Sequence, residues 1–192
     1  YEADFFSEDS QISRVCYMRK FMDVEMYEDE TLQTLYLPLG GGSFQMEFYL
    51  PQNGKTVEDV LSSLQNGRFP KPGVSAKTEV TLPCFDLSFE NPRILQDLSG
   101  RFGLSVPDAE QTQVNYPFCG EGKDGPGIEL GLLTHSARIL INEEGAAAAA
   151  VTINNILTGI NRSFSATRPF AFLIRETGSG IVFFCGVFAG TV

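Results

Sequence analysis

Nucleophilic catalysis needs a side chain that attacks and a base that takes its proton, and this chain has few bases to offer. His135 is the only histidine, and the four cysteines, Cys16, Cys84, Cys119 and Cys185, are widely spaced with no CxxC. Any Cys–His or Ser–His pair would have to use His135. Nothing flanking these residues resembles a nucleophile motif, and no GxSxG occurs. One histidine with scattered cysteines is also a poor zinc-ligand set. Gly54-Lys55-Thr56 looks like the end of a phosphate-binding P-loop, but Tyr49 stands where that motif requires its first glycine. The glycines at 40–42 lack both the GxGxxG spacing and a following helix. These residues point away from an enzyme and imply no metal and no cofactor. Cys185, inside the apolar run Ile181-Val182-Phe183-Phe184, reads as a small buried hydrophobe.

Charge narrows the partners. With 24 acidic against 14 basic residues the net charge is −10, unsuited to nucleic acid or anionic membranes, which call for clustered Lys and Arg. No apolar run reaches the ~18 residues of a membrane span. The chain opens on Tyr1-Glu2-Ala3-Asp4, without a charged-then-apolar leader pattern. Its 192 residues, 43% hydrophobic and 20% charged, can bury a core without disulfide staples.

The elements that must position any site are mostly strands. Residues 43–50 alternate Phe44, Met46, Phe48, Leu50 against Gln45, Glu47, Tyr49, which predicts a half-buried strand. Residues 31–37 precede it as a second strand across a glycine turn. Residues 81–89 carry another alternation, with Pro83 marking a strand end or edge. Residues 128–142 are long and mostly apolar. Residues 170–174 and 181–188 form a hairpin apolar on both faces around a Gly-rich loop. Helix signals are few: Thr56 as N-cap with Asp59 three residues on, and Asn91-Pro92 opening a short helix. Residues 107–127 read as an irregular loop.

Asn142-Glu143-Glu144-Gly145, followed by Ala146, Ala147, Ala148, Ala149, Ala150, Val151, Thr152 and Ile153, contradicts itself. Alanine is the best helix former, whereas Val151, Thr152 and Ile153 prefer strands. One reading is a short helix leading into a polar loop over 154–167. The other is that small side chains are needed because this backbone must fit between strands, in a segment that changes conformation.

This segment resembles the hinge of a serpin reactive-centre loop. Arg168-Pro169-Phe170-Ala171-Phe172-Leu173-Ile174-Arg175, followed by Gly180 to Gly186, resembles that family's C-terminal signature and last core strands. Val80-Thr81-Leu82-Pro83-Cys84-Phe85 resembles its Leu-Pro-x-Phe strand. Leu37-Pro38 with Phe44 to Pro51 resembles its central hairpin, and His135-Ser136-Ala137-Arg138 the strand before the hinge. The matches fall in family order and span nearly the whole chain. The resemblance implies an α+β serpin fold, of which residues 1–192 are the C-terminal half: mostly strands, a few short helices, and a mobile reactive loop at about 143–167. Ala146 stands where the family usually has Thr, Ala147 replaces a common Glu, and the family's tryptophan is missing. Between Gly145 and Pro169 the chain is one residue shorter than usual.

The implied function is suicide inhibition of a serine or cysteine protease. The bait bond is cleaved and the loop inserts into the main sheet as a new strand. The hinge is Glu143 to Thr152. The scissile bond falls at Thr158-Gly159 or Gly159-Ile160, with Leu157 beside it. With no Lys or Arg between 151 and 161, an elastase-, chymotrypsin- or subtilisin-like target is expected rather than a trypsin-like one. His135 is expected as a buried, hydrogen-bonded residue that governs sheet opening. The implied partners are the target protease, the N-terminal half of the fold, and other copies through loop–sheet self-association. A secreted or extracytoplasmic location is expected, where Asn161-Arg162-Ser163 would be a glycosylation sequon. The alternative is a non-inhibitory or truncated serpin-like protein with a binding or structural role.

Overall fold

The computed structural model describes residues 1–9, 11–92, 94, 97, 135–142 and 162–190. They divide into two units, Tyr1–Phe85 with Leu140–Val192, and Asp86–Ile139. The first unit is a sheet running β10-β9-β4-β3-β2-β5-β8, with β1 paired to β2. Its strands are β1 (Glu2–Phe6), β2 (Ile12–Glu28), β3 (Leu32–Leu39), β4 (Phe44–Pro51), β5 (Ala76–Pro83), β8 (Arg162–Ser165), β9 (Phe170–Glu176) and β10 (Val182–Phe188). β6 (Phe85–Asn91) and β7 (His135–Ile141) form a separate two-stranded sheet.

β2 organises the first unit. Its 17 residues extend about 55 Å at strand rise and pair successively with β1, β5 and β3. Val15 and Tyr17 near one end, and Val24 and Met26 near the other, are buried at alternate positions. β3 and β4 are joined at Gly40–Gly42, whose φ angles of 55°, 68° and 93° lie in the left-handed region that a side chain disfavours.

β4 is an interior strand, and here the expected half-buried pattern is corrected. From Met46 to Pro51 every residue is buried. The strand lies between β3 and β9, and both its faces are covered. On one face Phe48 joins a ring cluster. Phe170 stands 5.8 Å from Phe48 and 5.5 Å from Phe188, and Phe188 stacks on Phe85 at 5.0 Å. On the other face Tyr49 packs with Leu32, Val60, Ala171 and Leu173 beneath helix α1 (Val57–Gln65).

The capping box expected at Thr56 is present. Thr56 Oγ1 accepts the Asp59 N–H at 3.3 Å, and Asp59 Oδ2 accepts the Thr56 N–H at 2.9 Å. The Thr56 N–H, and after it the Thr56 hydroxyl, which donates to the same Oδ2 at 3.1 Å, hold the Asp59 carboxyl below the usual carboxylate range. Its contribution is therefore present above the unfolded-state pKa and is lost as pH falls through the lower folded value. Thr56→Ala should lower stability by about 1 kcal/mol, read from the urea-unfolding midpoint at neutral pH.

Two expectations about the first unit change. The polar stretch read as loop to residue 167 contains a strand, β8, which pairs in parallel with Thr78–Thr81 and buries Phe164 completely. One fully buried ring anchors four otherwise polar residues, too weak an alternation to read from the sequence. Cys185 is exposed rather than buried. β10 ends the sheet, and Ile181, Val182, Phe183, Phe184 and Val187 beside it are also exposed among the described residues.

In the β6–β7 sheet, Arg138 meets Asp86 and His135 meets Phe89, so the strands run in opposite directions. His135 is exposed rather than buried, its ring 5.9 Å from that of Phe89. Among the described residues this sheet has two strands and no layer that would enclose the imidazole. Of the short helix expected after Asn91-Pro92, the described residues Ile94 and Asp97 are helical.

Candidate reactive-loop site

The hinge residues Glu143 to Thr152 and the candidate scissile residues Leu157, Thr158, Gly159 and Ile160 lie outside the described residues. What is described are the strands from which this segment departs and to which it returns: β7, ending at Ile141, and β8, beginning at Arg162.

On the departure side, β7 has β6 as its strand neighbour, and among the described residues no strand pairs with its other edge. Arg138 Nε donates to Asp86 Oδ1 at 2.9 Å and Nη2 to Oδ2 at 2.5 Å, a two-pronged cross-strand bridge. The hydrogen bonds from Arg138 hold the Asp86 carboxyl below its ordinary range and raise the guanidinium. Both side chains are well exposed, so the bridge fixes register more than it adds stability. His135 lies at the start of β7, away from the hinge, and no described acid or nucleophile forms a catalytic pair with it.

On the return side the chain is anchored firmly. Arg162 Nη1 donates to the Val74 carbonyl at 3.2 Å. Phe164 contacts Phe48 edge-on at 6.5 Å. Ala166 N–H donates to Thr81 O at 3.0 Å, and Thr167 O accepts from Phe6 N–H at 2.9 Å. Arg168 directs Nε and Nη2 at the Pro51 carbonyl, and burial lowers its pKa from the usual guanidinium value. A cut in the segment between β7 and β8 therefore leaves its C-terminal piece held in the sheet.

A buried ionic group in the first unit is not legible in the sequence. Glu47 on β4 is 3% exposed. Arg175 Nη2 donates to its Oε2 at 3.0 Å, while Nε, 2.8 Å from Oε1, makes an ion contact without a hydrogen bond. Gln45 Nε2 donates to Oε1 at 3.0 Å, and the Tyr49 hydroxyl donates to Oε2. Burial first, then the Glu47 carboxylate, drives the Tyr36 and Tyr49 hydroxyls far above the ordinary phenol pKa. The guanidinium also sits 4.9 Å over the Phe69 ring. Alternation placed Glu47 on a polar face, and only the tertiary packing shows that face to be covered.

Among the described residues no cluster of His, Cys, Asp and Glu could hold a metal, and no helix is long and apolar enough to cross a membrane.

Comparison with known proteins connects these strands to a family. The family model described as "Serpin (serine protease inhibitor)" matches residues 1–190. Serpin-Z3 of Arabidopsis thaliana is 26% identical over 95% of this chain and 49% of its own length. Serpin B6 of Bos taurus is 32% identical over 69% of this chain and 35% of its own. Among solved structures, native protease nexin-1 with heparin superposes with a TM-score of 0.72 at 18% identity, covering 99% of this chain and 51% of that one. Maspin does so with a TM-score of 0.76 at 17% identity, covering 100% and 52%. The chain spans about half the length of these relatives, and the structural likenesses establish the fold. The chain belongs to the serpin family.

Proposed function

We propose that this chain supplies the C-terminal half of a serpin-type suicide inhibitor of serine or cysteine proteases, with residues 143–161 as the bait. One observation carries this reading. A segment rich in small residues, Gly145 to Ala150, is strung between β7, whose second edge has no described strand neighbour, and the firmly anchored β8. The protease nucleophile attacks the carbonyl carbon at Thr158 or Gly159. The peptide bond breaks, the acyl group passes to the enzyme as an ester or thioester, and the new amino terminus leaves with the β8 side. The freed hinge then adds as a strand, its backbone groups satisfied by sheet pairing and its small side chains admitting burial. His135, at the far end of β7, acts on sheet opening and not on the chemistry.

The exposed apolar side chains of β10 support the N-terminal half of the fold as a partner, because a solvated edge of this kind is a liability. The same edge logic gives a second copy's loop a place beside β7, a route to self-association. The target pocket is apolar, of elastase, chymotrypsin or subtilisin type.

The test is incubation of the intact protein with elastase, chymotrypsin, subtilisin, trypsin and a papain-like enzyme, followed by denaturing gels and the mass of the released C-terminal peptide. A detergent-stable adduct with an apolar-specific enzyme, and a peptide starting at Gly159 or Ile160, is expected. A cut after Arg162 would overturn the bait assignment. Cleavage without any adduct would leave a non-inhibitory serpin with a binding or structural role.

A further inference from the structure

We propose that Cys16 and Cys84 form a redox-active dithiol that closes to a cross-strand disulfide under oxidising conditions. Tyr17 pairs with Pro83 across the antiparallel β2–β5 ladder, so the next residues outward, Cys16 and Cys84, stand opposite each other. The Cys84 N–H donates to the Cys16 carbonyl at 2.8 Å, which extends the ladder to this pair. Opposed residues of a hydrogen-bonded antiparallel pair lie about 5.5 Å apart at Cα, inside the usual span of a disulfide. Residues opposed in this way also project to the same face of the sheet. Both backbones are fixed by buried neighbours. Val15 and Tyr17, 3% and 1% exposed, flank Cys16, and Leu82 and Phe85, 2% and 6% exposed, bracket Pro83 and Cys84. Cys16 is exposed and Cys84 is half-buried, so a small oxidant reaches Cys16 first.

With a disulfide oxidant of the glutathione type the step balances. The Cys16 thiolate attacks one sulfur of the oxidant, forming a mixed disulfide and expelling one glutathione thiolate. The Cys84 thiolate then attacks the Cys16 sulfur and expels the second. Two protein thiols are oxidised, and one glutathione disulfide is reduced to two thiols. The product ties β2 to the single residue that links β5 to β6.

The intact protein is incubated with oxidised glutathione, its remaining thiols are alkylated, and non-reducing peptide maps are recorded. The expected product is one peptide pair joined through Cys16 and Cys84, released by dithiothreitol and retained in Cys119→Ser and Cys185→Ser. In Cys84→Ser the reaction should stop with glutathione on Cys16. Cys185, exposed on β10 with no cysteine opposite it, should carry only glutathione. A wild-type map with Cys84 fully alkylated, or with Cys16 joined to Cys119 or Cys185, would overturn the proposal. That map does not depend on any variant folding.

Discussion

Arg175→Ala should destabilise the protein by about 3–5 kcal/mol, the cost of removing one partner from a buried ion pair. The effect does not come mainly from lost attraction. Glu47 is 3% exposed, and without the guanidinium its charge keeps, among the described residues, the Gln45 amide and the Tyr49 hydroxyl as donors. Arg175 also loses its place over Phe69. Two further variants separate the causes. Glu47→Gln with Arg175 intact strands the cation instead, but Arg175 is 23% exposed and can turn toward water, so a smaller loss is expected. Glu47→Leu combined with Arg175→Met removes both charges. It should recover much of the deficit, because an apolar pair of similar volume often matches a buried ion pair. The measurement is the urea-unfolding midpoint of each variant. A change of less than about 1 kcal/mol for Arg175→Ala would mean that water screens the pair, at the level of a surface bridge.

Glu47 also shows what could be read from the sequence and what could not. Its strand was legible because Phe44 to Leu50 alternate, and so was the turn before it, because three consecutive glycines allow left-handed backbone. The capping box at Thr56 was legible because both halves of it are local. The occupant of the second face of β4 was not, since α1 and Leu173 reach it only through tertiary folding. β1 and β2 are not legible for a related reason. β2 has three partners along its length, and its two ends bury opposite faces, Val15 and Tyr17 at odd positions and Val24 and Met26 at even ones, with Arg19, Lys20 and Asp23 between them. The exposure of Cys185 is not legible because apolar sequence reports the preference for burial and not the presence of a cover. β10 is as apolar as β9, yet it stands at the end of the sheet. The opposition of Cys16 and Cys84 is a matter of register between strands 68 positions apart, beyond any local pattern. The hinge proposed over 143–152 is legible only as a conflict, five alanines against a β-branched run, and by family resemblance.

On the proposed inhibitory function, that conflict can be resolved by experiment. Single glutamate substitutions at Ala146, Ala147, Ala148, Ala149 and Ala150 should divide into two classes that alternate along the chain. If the hinge adds beside β7 as a strand, successive side chains point to opposite faces, one toward the interior and one toward solvent. A carboxylate forced inward costs several kcal/mol, and each 1.4 kcal/mol is a factor of ten. One set, either Ala146, Ala148 and Ala150 or Ala147 and Ala149, should therefore lose the covalent protease adduct by tenfold or more. Its members should still be cleaved at the bait bond at an unchanged rate. The other set should keep the adduct within a few-fold. The readout is the ratio of adduct to cleaved, released protein on denaturing gels, which separates insertion from recognition because both outcomes begin with the same cleavage. A helix over the same alanines would instead group positions three and four apart, pairing Ala146 with Ala149 and Ala150. Equal tolerance at all five positions would exclude insertion of this segment and leave it a substrate loop.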